Sequence, residues 1–439
     1  MRTSLDYVET ALPKDHLCRL VKEVVFSLDT EPIETKYSFL GQHTYHPKYL
    51  LSLLFYGYAT GVRSSRKLAE RCISDHTYIY LMQSYTPDHR TISDFRKNNL
   101  KEIEKYFVDI VRIFSKLGYS HAGKIYIDGT KLKGNASAKR TKDRAGFEKW
   151  LSETEEEIGK LLKECETIDN QEDESCKIEP EEEVLKKKLS DRKYLKRQIE
   201  EALKIMKEEE KEKINLTDRD ANHMKTGGSK DIRPGYNCQA AVTAVGFIMA
   251  ADSGYGSYSN YEYLDQKGID GYVPDDHFQQ YKSGEYQKEE NRYHYSNFTY
   301  DALSDSYVCP EGKRLTYWKT RTNKTESRQW NHKVYKGTEC GTCAKRTLCT
   351  KSRVLELLID IREPLLKRMR EKLVSEEGRL KYFMRQYIIE PIFGHLKFNV
   401  GYRNFLLRGI EKVSAEFKLM CIGWNLKKML KLGIKPVRI

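Results

Sequence analysis

Three acidic residues stand in contexts that favour metal-dependent chemistry. Asp128 and Asp252 each end a short strand-like run, and acidic residues at strand ends of α/β sheets often carry chemistry. Glu390 precedes Pro391, which predicts that a helix begins or kinks at Glu390. Any one of these residues alone is more often a cap or a surface group. Together, in the order Asp, Asp, Glu, they could hold Mg²⁺ (or Mn²⁺) ions for phosphodiester cleavage.

Four cysteines form a second candidate site: Cys309, Cys340, Cys343 and Cys349. Cys340 and Cys343 have the C-x₂-C spacing that clasps a metal, and four thiolates fit a structural tetrahedral Zn²⁺ site. Glycines at 337 and 341 allow the tight turns that such a site needs. The alternative is four reduced cysteines without a metal. Ten cysteines in a chain without a secretion pattern favour thiols or a metal site over disulfides.

Basic residues accompany the candidate carboxylates. Arg385 and Lys397 flank Glu390 in the sequence, and Lys131 follows Asp128 by three positions. Their cationic side chains suit contact with a phosphate group. They are therefore predicted to bind phosphate beside the site.

A predicted helix over residues 89–100 carries three more basic residues on its polar face: Arg90, Arg96 and Lys97. Short helices with one basic face are typical of helix-turn-helix DNA readers. The alternative is an ordinary helical bundle with solvated charges.

Composition narrows the class of protein. The chain has 439 residues, 39% of them hydrophobic, which excludes wholesale disorder. It has no apolar run long enough for a membrane span and no signal pattern in its first 30 residues. The net charge of +13 is uneven, with 14 basic and 21 acidic residues over 151–213 and 20 basic and 9 acidic residues over 351–439. The basic N- and C-terminal parts of the chain favour a DNA partner, although a basic surface also keeps proteins soluble.

The sequence pattern predicts both helices and strands to position these residues, and therefore an α+β multidomain chain. Hydrophobic spacing predicts helices before residue 120, a charged helical hairpin in the middle, and helices at the end. Short strands are predicted at 124–128, 236–244, 247–251 and 271–274. The predicted domains are a helical DNA-binding domain (1–120), an α/β catalytic domain (121–145, 214–300 and 351–439), the helical hairpin insertion (146–213) and a cysteine-rich zinc-ribbon-like insert (301–350).

Several motifs make the chain resemble bacterial insertion-sequence transposases of the DDE class. The sequence Arg-Gln-Tyr-Ile-Ile-Glu-Pro-Ile-Phe-Gly-His-Leu-Lys at 385–397 resembles the family's Glu motif, and Ala-Asp-Ser-Gly-Tyr at 251–255 resembles its second-Asp motif. Further segments that resemble the family lie at 46–58, 65–70, 87–96, 127–131, 217–221 and 235–239. The similarity covers nearly the whole chain.

The resemblance implies a ribonuclease H-like catalytic domain that uses Mg²⁺ for transesterification at transposon ends. It implies catalytic, metal-binding roles for Asp128, Asp252 and Glu390, and accessory roles for Arg385 and Lys397. The expected partners are double-stranded DNA of transposon ends and target, and a second copy of the chain when DNA is bound. The expected location is the bacterial cytoplasm, at the nucleoid.

The chain departs from the family pattern just before Asp252. The pattern has a strand, a helix and then the Asp-bearing strand, whereas here one strand runs straight into Asp252. The link Val245-Gly246 can form a hairpin but not a crossover, which takes a dozen or more residues. A hairpin would place Asp128 and Asp252 two strands apart, about 9–10 Å. We therefore predict a shortened transposase with weak or no activity, unless the region rearranges.

Two other functions remain open on the sequence. A DNA-binding relic or a regulator of related elements would bind DNA without cutting it. A metal-dependent nuclease of the same fold would cut without joining. An RNA-binding module is disfavoured, because the sequence has no motif for a base-stacking platform.

Overall fold

The computed structural model describes residues 5–36, 45–118, 124–169, 180–209, 211–225, 232–252, 258–275, 277–285, 292–324 and 329–434. The chain divides into a first compact unit, residues 1–253 with 386–439, and a second, residues 254–385. Both units contain helices and strands, as expected for an α+β multidomain chain. Within the described ranges no helix is long and apolar enough to cross a membrane. The finer division into domains stays a prediction.

The first unit begins with a helical region, as the hydrophobic spacing predicted. Its helices are α1 (Leu5–Ala11), α2 (Leu17–Ser27), α3 (Glu31–Glu34), α4 (Pro47–Thr60), α5 (Ser65–Ser74), α6 (His76–Leu81), α7 (His89–Asn98) and α8 (Leu100–Lys116). Gly61 ends α4 with a φ of 88°, a conformation that favours glycine. Asp88 caps α7, since its side chain accepts a hydrogen bond from the Thr91 amide at 2.8 Å. The predicted helix end at Gly61 is confirmed.

The described residues of the first unit then form the strands β1 (Ile125–Lys133), β2 (Thr141–Asp143), β3 (Lys213–Asn215), β4 (Asn222–Lys225), β5 (Ile232–Thr243) and β6 (Ile248–Asp252). The long strand β5 is central, with β1 along one edge and both β4 and β6 along the other. All these pairs are antiparallel, and β2 pairs separately with β3. The strands predicted at 124–128, 236–244 and 247–251 are therefore present, whereas the strand predicted at 271–274 is wrong, because the structure has no strand at those residues. The ribonuclease H-like fold is not confirmed, because β5 is the one strand paired with β1 in the described residues.

A helical hairpin interrupts the first unit, as predicted. It consists of α9 (Arg144–Asp169) and α10 (Pro180–Glu208), which run antiparallel. Its small core is formed by Phe147, Ile199, Ala202, Met206, Ile214 and Leu216. Ion pairs such as Arg192 with Glu157, at 2.9 Å, lie across the hairpin surface. The charged residues therefore form a solvated face, which is the more common role of such a charge run.

The second unit contains a five-stranded antiparallel sheet and several helices. The helices are α11 (Tyr258–Gln266), α12 (Phe278–Ser283), α13 (Arg346–Cys349), α14 (Glu363–Val374) and most of α15 (Glu376–Ile388). The strands are β7 (Thr299–Asp301), β8 (Ser306–Val308), β9 (Arg314–Lys324), β10 (Gln329–Gly337) and β11 (Glu356–Asp360). Neighbouring strands in sequence are neighbours in the sheet, which is a meander. Its core is formed by Phe298, Leu315, Tyr335, Leu357 and Ile359.

The chain returns to the first unit through α16 (Glu390–Gly394), a π-helical turn (His395–Asn399) and α17 (Ile410–Lys431). Helix α17 contacts α2, α4, α8 and β6, so the N-terminal helices and the sheet share one core. Gly423 permits the close approach of α17 to α4, because a Cβ there would lie 2.8 Å from the Ala59 amide nitrogen. The first unit therefore depends on both ends of the chain.

Candidate functional site

Asp128 lies in the middle of β1, on the side of the strand that the core covers. Its neighbours Thr130 and Leu132 on that side are buried, whereas Gly129 and Lys131 are exposed. The Asp128 side chain is half-buried and accepts a hydrogen bond from the Gly129 amide at 2.8 Å. The alternation expected of a strand thus places the carboxylate at the edge of the core.

Lys397 approaches Asp128 from the π-helical turn. Its side chain is half-buried; burial lowers the pKa of the ammonium group, while the charges of Cys238 and Asp128 oppose that shift. Cys238 lies opposite Thr130 in the pairing of β1 with β5. Asp128 and Lys397 were both predicted from the sequence as site residues. The structure places them close enough for their charges to interact.

Glu390 is the first residue of α16 and is exposed. The helix start predicted from Pro391 is confirmed. Lys397 follows Glu390 by seven residues along α16 and the π-helical turn, about 10 Å of helical rise. Glu390 thus belongs to the segment that also brings Lys397 to Asp128.

Asp252 lies on β6 and Asp128 on β1, and these two strands pair with opposite edges of β5. The predicted hairpin is confirmed, since β6 returns antiparallel along β5 and the Thr243 amide donates to the Phe247 carbonyl at 2.9 Å. Asp128 and Asp252 are therefore two strand spacings apart, about 9–10 Å.

The pairing register separates the two aspartate positions further. Asp128 pairs with Ala240 of β5, whereas Asp252 pairs with Gln239. Successive residues of a strand face opposite sides of a sheet, so the two positions belong to opposite faces. A two-metal centre holds its ions about 3.5–4 Å apart with ligands that converge. The shared metal site of Asp128 and Asp252 stays a prediction, which this strand pairing does not favour. Residues 253–255 of the second-Asp motif lie outside the described residues.

The predicted DNA-contacting residues differ in exposure. Arg90 and Lys97 of α7 and Lys131 of β1 are exposed. Arg96 is buried, with Nη1 donating to the Tyr58 hydroxyl at 3.2 Å and to the Arg63 carbonyl at 3.1 Å. It therefore serves the interior and is not on the basic surface that the helical pattern suggested.

Arg385 lies in the part of α15 that belongs to the second unit. Its guanidinium group is 4.8 Å from the centre of the Tyr382 ring, so it makes a cation–π contact within its own helix. Its predicted role at the phosphate stays untested by this geometry.

The four cysteines of the second unit line one small cavity: Cys309, Cys340, Cys343 and Cys349. The Lys313 amide donates to Cys309 Sγ at 3.3 Å, and a Cβ at Gly337 would overlap Cys340 Sγ. Burial raises the pKa of Cys349, and the neighbouring thiols raise it further. The four thiols are neighbours, but they do not have the geometry of a metal site. In the described ranges no three His, Cys, Asp or Glu side chains are arranged to hold a metal ion.

A groove that the sequence analysis did not predict opens between the first turns of α5 and α7. Ser64, Ser65 and Arg66 line it from α5, and His89 and Arg90 line it from α7. We call it the α5–α7 groove. The sequence signal for this groove is two serines followed by Arg66 at a helix start. Arg90 joins them only through the packing of α5 on α7, which the sequence does not indicate.

Two family models match the chain. The model described as "Transposase DDE domain" matches residues 308–430, and the model described as "Transposase domain (DUF772)" matches residues 6–98. This chain belongs to the DDE-type insertion-sequence transposases. No curated protein and no solved structure gives a significant match.

The two matches cover different parts of this transposase. The DDE match spans the four cysteines, Glu390 and Lys397, whereas Asp128 and Asp252 lie between the two matches. The DUF772 match spans α1 to α7, including every groove residue except Leu406, which lies in the DDE match. Because transposases act on DNA, DNA is the partner that these matches support.

Proposed function

We propose that this transposase binds double-stranded DNA of transposon ends and target, and that its strand cleavage and strand transfer are impaired. The observation that carries the proposal is the hairpin of β5 and β6, which separates Asp252 from Asp128. The family's chemistry is a Mg²⁺- or Mn²⁺-dependent transesterification that needs Asp128, Asp252 and Glu390 at one centre. The hairpin holds the positions of Asp128 and Asp252 two strands apart, so we derive no metal-dependent step from them.

A DNA-binding regulator of related elements is the second candidate. The same hairpin favours it, because DNA binding does not require Asp252 to reach Asp128. Exposed basic residues support DNA binding: Arg90, Lys97 and Lys131. Two transposon ends must be brought together for transposition, so we propose a homodimer on DNA.

We also propose that the cysteine cluster binds one structural Zn²⁺. The support is that all four thiols line one cavity, with one C-x₂-C pair among them. Such an ion would be held by Cys309, Cys340, Cys343 and Cys349. It would stabilise a unit whose sheet has a small core, and it would take no part in cleavage.

An excision assay tests the catalytic part of the proposal. A plasmid carries the transposase gene between its native flanking ends, and excision product is measured with Mg²⁺ and with Mn²⁺. We expect the unmodified protein and Asp128→Ala to give the same low signal. A related full-length transposase on its own ends shows that the assay works.

The same preparations are tested for duplex binding by fluorescence anisotropy. Binding without excision supports an impaired transposase or a regulator. Strong excision that Asp128→Ala abolishes would contradict the proposal, because it would require Asp252 to reach the site after a rearrangement. A loss of duplex binding altogether would contradict the DNA-binding part.

A further inference from the structure

The α5–α7 groove has the electrostatic character of an anion site. It has a volume of about 480 Å³ and is lined by the exposed side chains of Arg66 and Arg90. Among the described residues that line it, Asp94 is the one acidic residue, so the arginines outnumber it. Arginine presents a planar set of N–H donors that suits the oxygens of a phosphate group.

The N-terminus of α5 contributes backbone donors to the same groove. The first amides of any helix lack intrahelical partners, and the helix dipole adds positive partial charge there. Ser64 is the N-cap of this ten-residue helix, and its side chain makes no capping hydrogen bond. The first turn therefore keeps donors available for a ligand.

Arg96 supplies the observation that points to a ligand. Its side chain lines the groove and is 5% exposed. Nη1 donates to the Tyr58 hydroxyl and the Arg63 carbonyl, and Nη2 donates to the Ser65 hydroxyl at 3.5 Å. Its Nε is buried and has no hydrogen-bond partner in the described part of the chain. A buried donor without a partner costs about 1–3 kcal/mol, so a native structure normally satisfies it. An oxyanion in the groove would do so.

We propose that the α5–α7 groove binds one phosphate group, and that its natural ligand is a phosphodiester of the DNA backbone. The inference rests on the proposed DNA binding, because the groove lies in the region matched by the transposase DUF772 model. The phosphate oxygens accept from Arg66, from Arg90, and from the first amides of α5. The groove thereby fixes the position of one DNA strand on the N-terminal helices.

A pair of substitutions at Ser65 isolates the backbone donor. Ser65 is the first residue of α5, where proline is tolerated, and Ser64 has a ψ of 125°, which suits a residue before proline. Both variants lose the Ser65 hydroxyl, which accepts from Arg96 Nη2 at 3.5 Å, and only Ser65→Pro also loses the amide hydrogen. We expect Ser65→Pro to bind a 20-base-pair duplex about tenfold more weakly than Ser65→Ala. Circular dichroism checks that both variants fold.

The arginines are tested by the salt dependence of duplex binding. Arg66→Gln and Arg90→Gln should each reduce the slope of log affinity against log salt by about one. Lys101→Gln is the control, since it removes an exposed charge on α8 away from the groove and should leave the slope unchanged. These variants keep the test valid should Ser65→Pro fail to fold.

Inorganic phosphate distinguishes the two sources of the ligand. Phosphate should raise the melting temperature of the unmodified protein more than chloride at equal ionic strength, and Ser65→Pro should lose that difference. This result without duplex binding would keep the anion site, assign it to free phosphate and reject the DNA-binding function. Normal duplex binding that is equal in Ser65→Ala and Ser65→Pro, with unchanged slopes in both arginine variants, would overturn the groove proposal alone.

Discussion

At the scale of single residues, Glu416 of α17 anchors the interior of the first unit. It has no exposed surface, pairs with Arg63 at 3.1 Å, and accepts from the Leu407 amide at 2.9 Å. Its removal would leave a buried arginine and backbone donors without their partner. Breaking a buried pair from one side is therefore more costly than the pair's net contribution to stability.

We predict that Glu416→Ala lowers the free energy of unfolding by about 3–5 kcal/mol. The measurement is urea unfolding followed by circular dichroism. Glu411→Ala is the control, because Glu411 lies exposed on the same helix and should change stability by less than about 0.5 kcal/mol. Equal effects of the two variants would contradict the role assigned to Glu416.

The same substitution should have opposite effects at two glycines. A Cβ at Gly423 would meet α4 backbone at 2.8 Å, whereas a Cβ at Gly159 in α9 would have no heavy atom within 4 Å. We predict that Gly423→Ala destabilises the protein by about 1–3 kcal/mol. Gly159→Ala should stabilise it by about 0.5–1 kcal/mol, because alanine favours a helix. Thermal unfolding of both variants checks the signs, and a neutral Gly423→Ala would contradict the close packing of α17 on α4.

Some residue roles could be predicted from sequence and others could not. Asp252 ends its strand as predicted, because a short apolar run before an acidic residue is a local signal. The predicted strand end at Asp128 is wrong, because β1 continues to Lys133 through its pairing with β5. The burial of Arg96 could not be predicted, because its partners Tyr58 and Arg63 are 38 and 33 residues away. Its long apolar stem lets a charged residue on a helix turn inward when such partners exist.

At the scale of elements, the β5–β6 hairpin is the feature on which the proposed loss of strand cleavage rests. The two-residue link predicted the hairpin from sequence alone, because no crossover fits such a short connection. The register could not be predicted, since it depends on how β6 packs against α17 and α8. That register places Asp252 opposite Gln239 and not opposite Ala240.

A substitution in the turn tests whether the hairpin forms in solution. Gly246 has a φ of 87°, so a side chain there strains the backbone by about 1–2 kcal/mol. We predict that Gly246→Ala lowers stability by that amount and speeds amide hydrogen exchange in β6. Val245→Ala is the control, because Val245 is exposed and next to the turn. Rapid exchange of β6 amides in the unmodified protein would mean that the hairpin is absent.

At the scale of the whole molecule, both ends of the chain build the first unit, and the middle builds the second. The N-terminal helices, the sheet and α17 share one core, so the α5–α7 groove and the pair Asp128 and Lys397 belong to one unit. Sequence patterns separated the helical region from the strands but did not reveal this shared core. Long-range packing between α4 and α17 creates it, and local periodicity carries no signal of such contacts.

The second unit has a smaller core, so its stability should depend on metal. We predict one zinc ion per chain and its loss in Cys340→Ser, measured by elemental analysis of the purified protein. Removing zinc with a chelator should make strands β7 to β11 sensitive to protease, while the first unit stays protected by its larger core. Cys165→Ser is the matched control, because Cys165 lies in the helical hairpin and should leave the zinc content at one. The zinc proposal would be wrong if protein purified without chelators contained no zinc. It would also be wrong if the chelator left the protease resistance unchanged.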